Sequence, residues 1–571
     1  MTVLSLAVIW INRFPPLQDY PYHLVRMHMI RHFLNEDYGF ADRATLSLFP
    51  TPYILADYLS LLFGQFSSVY TTGKLILSSY ILLMSFSIYY LSRVVHNQFT
   101  PFGLLGFALI FNWSFNMGFL SFIFSIPFFL LAVGYWWAHR TRFTPVHLSI
   151  LTGLVACVYL SHPFTFCFLF FVLLVMSIYF LRTHPRAATG LLSFIPSFLL
   201  LAFALSRDLP SSEINQTAAF YLNDFQAKLS MAFGNSLPYF TSFKPWHERF
   251  ILYFSGAAIL AFIGLQLFKR PGVTDSAGWG LGAASLVCAY FLLPDHLLLP
   301  NVGYVANRIL IFFAFMLILL PAPPARAIIR LGVALSCFAL SLAQISLMHI
   351  SYRNINDEFS DLYAAIQQVP ERSRLTMWSN LGLARFGNIS PVALFSGYYY
   401  IERAGAEVPT ITAFAGPLRS LQFKDQSDRS RTVEDILRKG CALARKGGYV
   451  VIVSESEHGS YNADEFGCTL AVSSRHLAVY RNSADAGGIA ADRGMLPDSP
   501  SSRDDAYFRE RYFQQSDWFE KEHEYLLFYG PEEDALSLRR MECYEPVFAR
   551  NNSHIFKYDP GCPGRPPETR R

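Results

Sequence analysis

MGFLSFIFSIPFFLLAVGYWWA, residues 117–138, is 22 consecutive residues without a formal charge. About 20 apolar residues in a helix cross the hydrocarbon core of a bilayer, so this run predicts a transmembrane helix. Similar runs lie near 70–92, 101–114, 146–161, 163–181, 188–206, 249–268, 277–293, 306–321 and 328–349. With a first helix near the start of the chain they predict about eleven crossings by the length rule. That first run, Val3 to Ile11, is shorter than a crossing and has no basic residues ahead of it. It is therefore expected to be a first helix, neither a clear signal peptide nor a full span by itself, completed either by Asn12 to Leu17 or by a few residues ahead of Met1.

Composition supports the same class. Of 571 residues 52% are hydrophobic and 16% aromatic against 15% charged, which excludes one ordinary soluble globule and predicts a polytopic membrane protein embedded in a lipid bilayer. The net charge of +4 is small and the basic residues are scattered, so nucleic acid is not an expected partner. The chain has no CxxC pair, HExxH helix, Walker loop or GxGxxG after a strand, so nucleotide, dinucleotide and soluble metal chemistries lack support.

Basic residues predict the orientation, because cytoplasmic loops retain Lys and Arg. Arg93, Arg140 with Arg142, Arg182 with Arg186, Lys269 with Arg270, and Arg326 with Arg330 mark alternate junctions. The N-terminus is then cytoplasmic. The other face receives the first loop, 13–70, the loop from Arg207 to Glu248, the turn from Pro294 to Val305, and tight junctions at Asn112 to Asn116 and Ser161 to Pro163. Tyr53 to Gly64, with Asp57, reads as an amphipathic helix lying at the interface.

After His349 the composition becomes that of a soluble α/β or α+β domain on the extracytoplasmic side. The expected division is a transmembrane domain at 1–349, a soluble region at 350–482, a linker at 483–505, the rest of the soluble domain at 506–562 and a disordered tail at 563–571. Thr432 to Lys446 has helical spacing. Tyr449 to Ser454, Leu477 to Arg481, Tyr525 to Tyr529 and His554 to Tyr558 read as strands. Cys441, Cys468, Cys543 and Cys562 in this region could form two disulfides in an oxidising compartment.

Residues that could carry chemistry gather on the extracytoplasmic face. In FPPLQDYPYHLVR, Phe14 to Arg26, the residues Asp19, His23 and Arg26 are spaced i, i+4, i+7. A helix starting with Asp19 as N-cap and Pro21 in its first turn would put all three on one face. The same face receives His162 in YLSHPF, Asp295 and His296 in LPDHLLLP, and Arg308 at the start of a span. A guanidinium at that depth could grip a phosphate, helped by Arg26 and His162. Asn112 and Asn116 could orient a sugar, as could Asp295 and His296. Glu36 and Asp37 rival Asp19 as a base. Blander roles stand beside these: a cap for Asp19, snorkelling for the arginines, a helix-end bond for His162, turns for the two asparagines, and a solvated turn for Glu36 and Asp37. Asp19 with His23 makes only a two-ligand metal pattern.

FPPLQDYPYHLVR after a first span, NMGFLSFIFSIPFFL and YLSHPF resemble segments of the GT-C glycosyltransferases, in particular large bacterial members whose first loop carries Asp-x-Pro-x-His-x-x-Arg. The resemblance implies transfer of a sugar from a polyprenyl-phosphate donor to a glycan, lipid or protein acceptor on the outer face of the plasma membrane. It also implies a first-loop acid, here Asp19, at the catalytic centre, with His23 beside it. Tyr22 stands where Asn is common, and Asp19 stands alone where many members carry two close acids. No cofactor is therefore expected, with a divalent metal as the departure to test. Two other classes use the same residues differently: a transporter or flippase of lipid-linked glycan, and a non-catalytic envelope-assembly protein.

Overall fold

The computed structural model describes residues 1–208, 218–222, 225–233, 274–299 and 304–367, and beyond these residue 371, strand 375–379, residues 389 and 391, segment 394–403, and strands at 421–423, 449–453, 468–474, 477–482, 525–529, 544–550 and 553–558. The molecule is mostly helical. Among the described residues five helical segments are long and apolar enough to cross a membrane: Val69–His96, Leu120–His139, Pro163–Phe180, Pro185–Ala204 and Ala327–Ala364; the expected crossing at 249–268 lies outside them. Shorter apolar helices are Thr2–Ile11, Leu55–Gly64, Pro145–Ser161, Ala277–Leu292 and Ile309–Ile318. Large apolar side chains such as Leu199, Phe203, Ile328 and Leu335 point outward. Such outward apolar surface on long apolar helices is that of a helical membrane protein.

In chain order we label Thr2–Ile11 α1, Tyr20–Arg31 α2, Leu55–Gly64 α3, Val69–His96 α4, Leu120–His139 α5, Pro145–Ser161 α6, Pro163–Phe180 α7, Thr274–Leu292 α8, Ile309–Ile318 α9, Ala327–Ile366 α10 and Ser396–Glu402 α11. The quoted run becomes α5, the most buried of the five long helices, packed on α4, α6 and α7. Its core is aromatic, and two large buried side chains there find polar partners: Trp136 Nε1 donates to the Ala187 carbonyl at 3.1 Å, and Tyr80 Oη of α4 to that of Ile110 at 2.9 Å. An unpaired buried donor would cost about 1–3 kcal/mol, so these bonds fix which way the large side chains turn.

Two expectations are corrected here. The run at 101–114 is not a crossing: Pro101–Phe107 is a 3₁₀ turn buried against α10. A Cβ on Gly106 would lie 2.9 Å from the Ile88 side chain, so the segment lies close against α4. The first helix stops at Ile11, and Asn12 to Leu17 is loop. Beyond these, α10 runs unbroken past His349 to Ile366.

The loops at one end of the bundle join the later strands. Strands β2 (Ala218–Leu222) and β3 (His296–Leu299), both within membrane-region loops, pair with each other, and β2 pairs antiparallel with β6 (Tyr449–Val453). Thus Phe220 faces Val451 in register, within a five-stranded order β3-β2-β6-β8-β7, where β7 is Cys468–Ser474 and β8 Leu477–Asn482. Likewise β1 (Ala44–Leu46) pairs with β5 (Leu421–Phe423). A second sheet holds β4 (Leu375–Ser379), β9 (Tyr525–Tyr529), β10 (Tyr544–Arg550) and β11 (Ser553–Tyr558). The expected helix at 432–446, the linker, the tail, Cys441, Cys543 and Cys562, and the side chain of Cys468 lie outside the described residues.

The short helix α11 closes this end over α2. Gly397 approaches so closely that a Cβ would stand 2.9 Å from the Pro21 backbone. Glu402 accepts hydrogen bonds from Tyr70 and Tyr363 at 2.6 Å each and from Gln367 at 2.9 Å, tying α11 to α4 and α10.

Candidate functional site

Asp19 sits on a loop strapped from three sides. Lys74 Nζ donates to the Asn12 carbonyl at 2.7 Å. Asn356 on α10 clamps Phe14, accepting from its N–H at 2.9 Å and donating to its carbonyl at 2.8 Å. The backbone N–H groups of Gln18 and Asp19 donate to the carbonyls of Asn116 and Met117, both at 3.0 Å. Gly118 follows at φ +78, and a Cβ there would lie 2.9 Å from the backbone nitrogens of both Asp19 and Tyr20. Only glycine combines that conformation with that closeness.

Asp19 is the N-cap of α2, with Pro21 in the first turn, yet its side chain makes no capping bond. The carboxyl is therefore left for other work. It accepts a hydrogen bond from the Gln18 side chain and feels the Arg308 guanidinium, both of which favour the carboxylate, but desolvation outweighs them and raises it from 3.8 to about 7. The side chain is only half-buried by its accessible surface. A carboxyl crowded by protein and still reachable from outside is the arrangement of a recessed site.

Arg308, just before α9, is buried. Its Nη1 lies 3.0 Å from His162 Nε2, and since Arg can only donate, His162 accepts and carries its ring proton on Nδ1. The guanidinium packs over Phe119 at 4.6 Å and Phe122 at 5.4 Å. His162 is held in turn by Tyr53 and Phe122, each with ring centroids 5.2 Å away. A cation among aromatic faces interacts more strongly with an anion than one in water does.

Other expected residues are placed elsewhere. Arg26 forms a two-pronged buried ion pair with Asp57 of α3, Nε to Oδ1 and Nη2 to Oδ2 both at 2.9 Å. It braces α2 on α3, and Asp57 faces inward rather than toward an interface. Asn112 accepts from the Phe115 N–H and donates to the Leu109 carbonyl; Asn116 donates to Phe111 and Asn112 and accepts from Tyr352 Oη at 2.6 Å. Both asparagines are fully buried and shape the turn under Asp19 rather than facing a sugar. Glu36 and Asp37 lie on an exposed turn, where the Asn35 side chain accepts from the Asp37 N–H. Asp295 is buried 3.7 Å from Lys228, whose Nζ also donates to the carbonyls of Tyr290, Phe291 and Leu293. His296 opens β3. His23 is buried one turn into α2. Among the described residues no three His, Cys, Asp or Glu side chains are grouped to hold a metal.

Sequence reasoning missed two tyrosines. Tyr304 packs against Trp113, centroids 4.9 Å apart, and its phenol feels both Asp19 and Arg308. Tyr53 stands against His162. Both take positive φ, +60 and +71, which nothing in a single sequence announces for tyrosine.

No family model and no curated protein matches this sequence. The reading of the site therefore rests on its own chemistry: one recessed acid that can hold or release a proton near neutral pH, and one buried cation beside it that can hold an anion.

Proposed function

We propose that the chain is an integral-membrane glycosyltransferase that takes a sugar from a polyprenyl-phosphate donor and gives it to an acceptor hydroxyl, with inversion. The observation that carries this is the pairing of Asp19, a carboxyl at about 7, with Arg308, a buried guanidinium oriented by His162. A base near neutrality suits removal of a proton from a hydroxyl as it attacks. A phosphate leaving group needs charge stabilisation more than a proton, and a fixed cation in a dry aromatic setting supplies it.

In this reading the Asp19 carboxylate takes the acceptor proton, the acceptor oxygen attacks the anomeric carbon in line, and the bond to phosphate oxygen breaks. Arg308 holds the departing phosphate, and His162 fixes the guanidinium. Arg26 acts through α2, keeping Asp19 in place. No step of this mechanism passes through a metal, and the comparison with and without EDTA tests for one. The site end of the bundle would be the extracytoplasmic face of a plasma membrane: Arg93, Arg140, Arg142, Arg182, Arg186, Arg326 and Arg330 all fall at the other end. The strands after α10 that pair with loops of the site end would then be extracytoplasmic too, placed to present an acceptor.

The test is release of polyprenyl phosphate from a panel of polyprenyl-phosphate sugars by the purified full chain, wild type against Asp19→Asn, with and without EDTA. Turnover that falls by about 10²–10⁴-fold in the variant and survives EDTA supports the reading. Equal turnover in both proteins refutes Asp19 as the base. Absence of turnover with every donor returns the site to transport or assembly.

A further inference from the structure

We propose that Tyr304 is a substrate-contacting residue, its phenol donating a hydrogen bond to the phosphate that Arg308 grips. This rests on the lipid-phosphate reading above.

Backbone conformation supplies the first argument. Among the described residues three non-glycine positions have positive φ: Tyr53, Asn97 and Tyr304. Asn97 ends α4, where a left-handed residue is ordinary. The other two are tyrosines, and both lie at the site, on either side of the Arg308–His162 pair. A bulky side chain in this region persists only where its surroundings hold it there, and such residues cluster where a ligand is clamped.

The hold on Tyr304 is visible. Its neighbour Val305 donates its N–H to the Asp295 carbonyl at 2.8 Å, and Asp295 is itself anchored by Lys228, whose ammonium gathers three carbonyls at the end of α8. The buried Lys228–Asp295 pair, which the proposed chemistry does not otherwise use, is thus tied through the Asp295 carbonyl to the residue that follows Tyr304.

Placement of the ring supplies the second argument. Tyr304 lies between Trp113, at 4.9 Å, and Phe119, at 6.5 Å, while Phe119 also carries Arg308 at 4.6 Å. The phenol-bearing ring and the guanidinium therefore both stand against one shared ring, that of Phe119. The phenol is within electrostatic reach of both Asp19 and Arg308, and burial makes it harder to ionise. It stays a hydrogen-bond donor at any physiological pH, which is what an anion beside Arg308 requires.

Farnesyl phosphate is the probe, its binding to the full chain in detergent measured by calorimetry for wild type, Arg308→Gln, Tyr304→Phe and Tyr304→Gly, with farnesol as the phosphate-free control. Wild type should bind, and Tyr304→Phe should bind about tenfold or more weakly, tenfold being roughly 1.4 kcal/mol. Farnesol binding should be unchanged. Tyr304→Phe keeps the ring and should melt like wild type, while Tyr304→Gly, which removes ring and hydroxyl together, should bind farnesyl phosphate at least as weakly as Tyr304→Phe. If both Tyr304 variants bind like wild type while Arg308→Gln does not, the inference is overturned and the lipid-phosphate reading stands. If wild type does not bind the probe, that reading falls and the inference with it.

Discussion

Replacing Asp19 by Asn separates the electrostatic state of the site from any assumption about its substrate. The folded chain holds the Asp19 proton up to about pH 7, whereas the unfolded chain releases it near 3.8. The difference is about three pH units, and each unit is worth roughly 1.4 kcal/mol. Because the folded value is the higher one, the stabilising contribution of the protonated acid is complete below the unfolded value and is lost as pH rises from about 4 to about 7. The full loss would be roughly 4 kcal/mol; since the side chain keeps some access to water, about 2–4 kcal/mol is the expected range. Asn has the shape of the protonated acid and never ionises, so Asp19→Asn escapes this loss. In detergent, followed by tryptophan fluorescence on heating, the variant should melt above wild type by a margin that widens between pH 5 and pH 7 and stays level to pH 8.5. At the upper plateau the margin should be several degrees. Parallel melting curves across the whole range would refute the reasoning, because they would mean that Asp19 is solvated like a surface carboxylate.

Gly118→Ala places a methyl group 2.9 Å from two backbone nitrogens at a φ of +78, a strain of about 1–3 kcal/mol. The methyl pushes directly on Asp19, so polyprenyl-phosphate release should fall more than thermal stability does, and an alanine variant with full turnover would show that the Asp19 loop is not held by this contact. Arg26→Met leaves Asp57 as a buried unpaired charge, a loss of about 3–5 kcal/mol. The double variant Arg26→Met, Asp57→Leu should recover most of that stability in the same melting assay; failure to recover would mean that Arg26 has a role beyond bracing α2. The pH profile of turnover should rise about tenfold per unit up to about 7 and then level, as a single carboxylate base requires; a profile flat from pH 5 to 8 would place the base elsewhere.

How far the site could be read from the chain alone depended on the range of the forces involved. Asp19, His162 and Arg308 were each visible as polar groups at the mouths of apolar runs, since burying a charge at membrane depth is costly and sequences place few there. That Arg26 spends both prongs on Asp57, 31 residues away, could not be read off, because helical spacing says which residues share a face and nothing about which neighbour that face meets. Asn112 and Asn116 are turn formers in both accounts; only packing showed that the turn they form presses Gly118 against the Asp19 backbone. The 3₁₀ stretch at 101–107 reads like a crossing because length and hydropathy register only its apolar character and not its packing against α10 and α4.

The sequence by itself determined that this is a helical membrane protein, where most of its long helices lie, and that charged groups such as Asp19 and Arg308 fall at the ends of apolar runs, because a lipid solvent selects uninterrupted apolar runs and local composition suffices to reveal them. Only the tertiary structure decided which polar groups meet. The convergence of Asp19, Arg308, His162 and Tyr304, the diversion of Arg26 to Asp57, and the strands lent by two membrane loops to β6 all join residues far apart in the chain, and such contacts are fixed by packing rather than by any periodicity along the sequence.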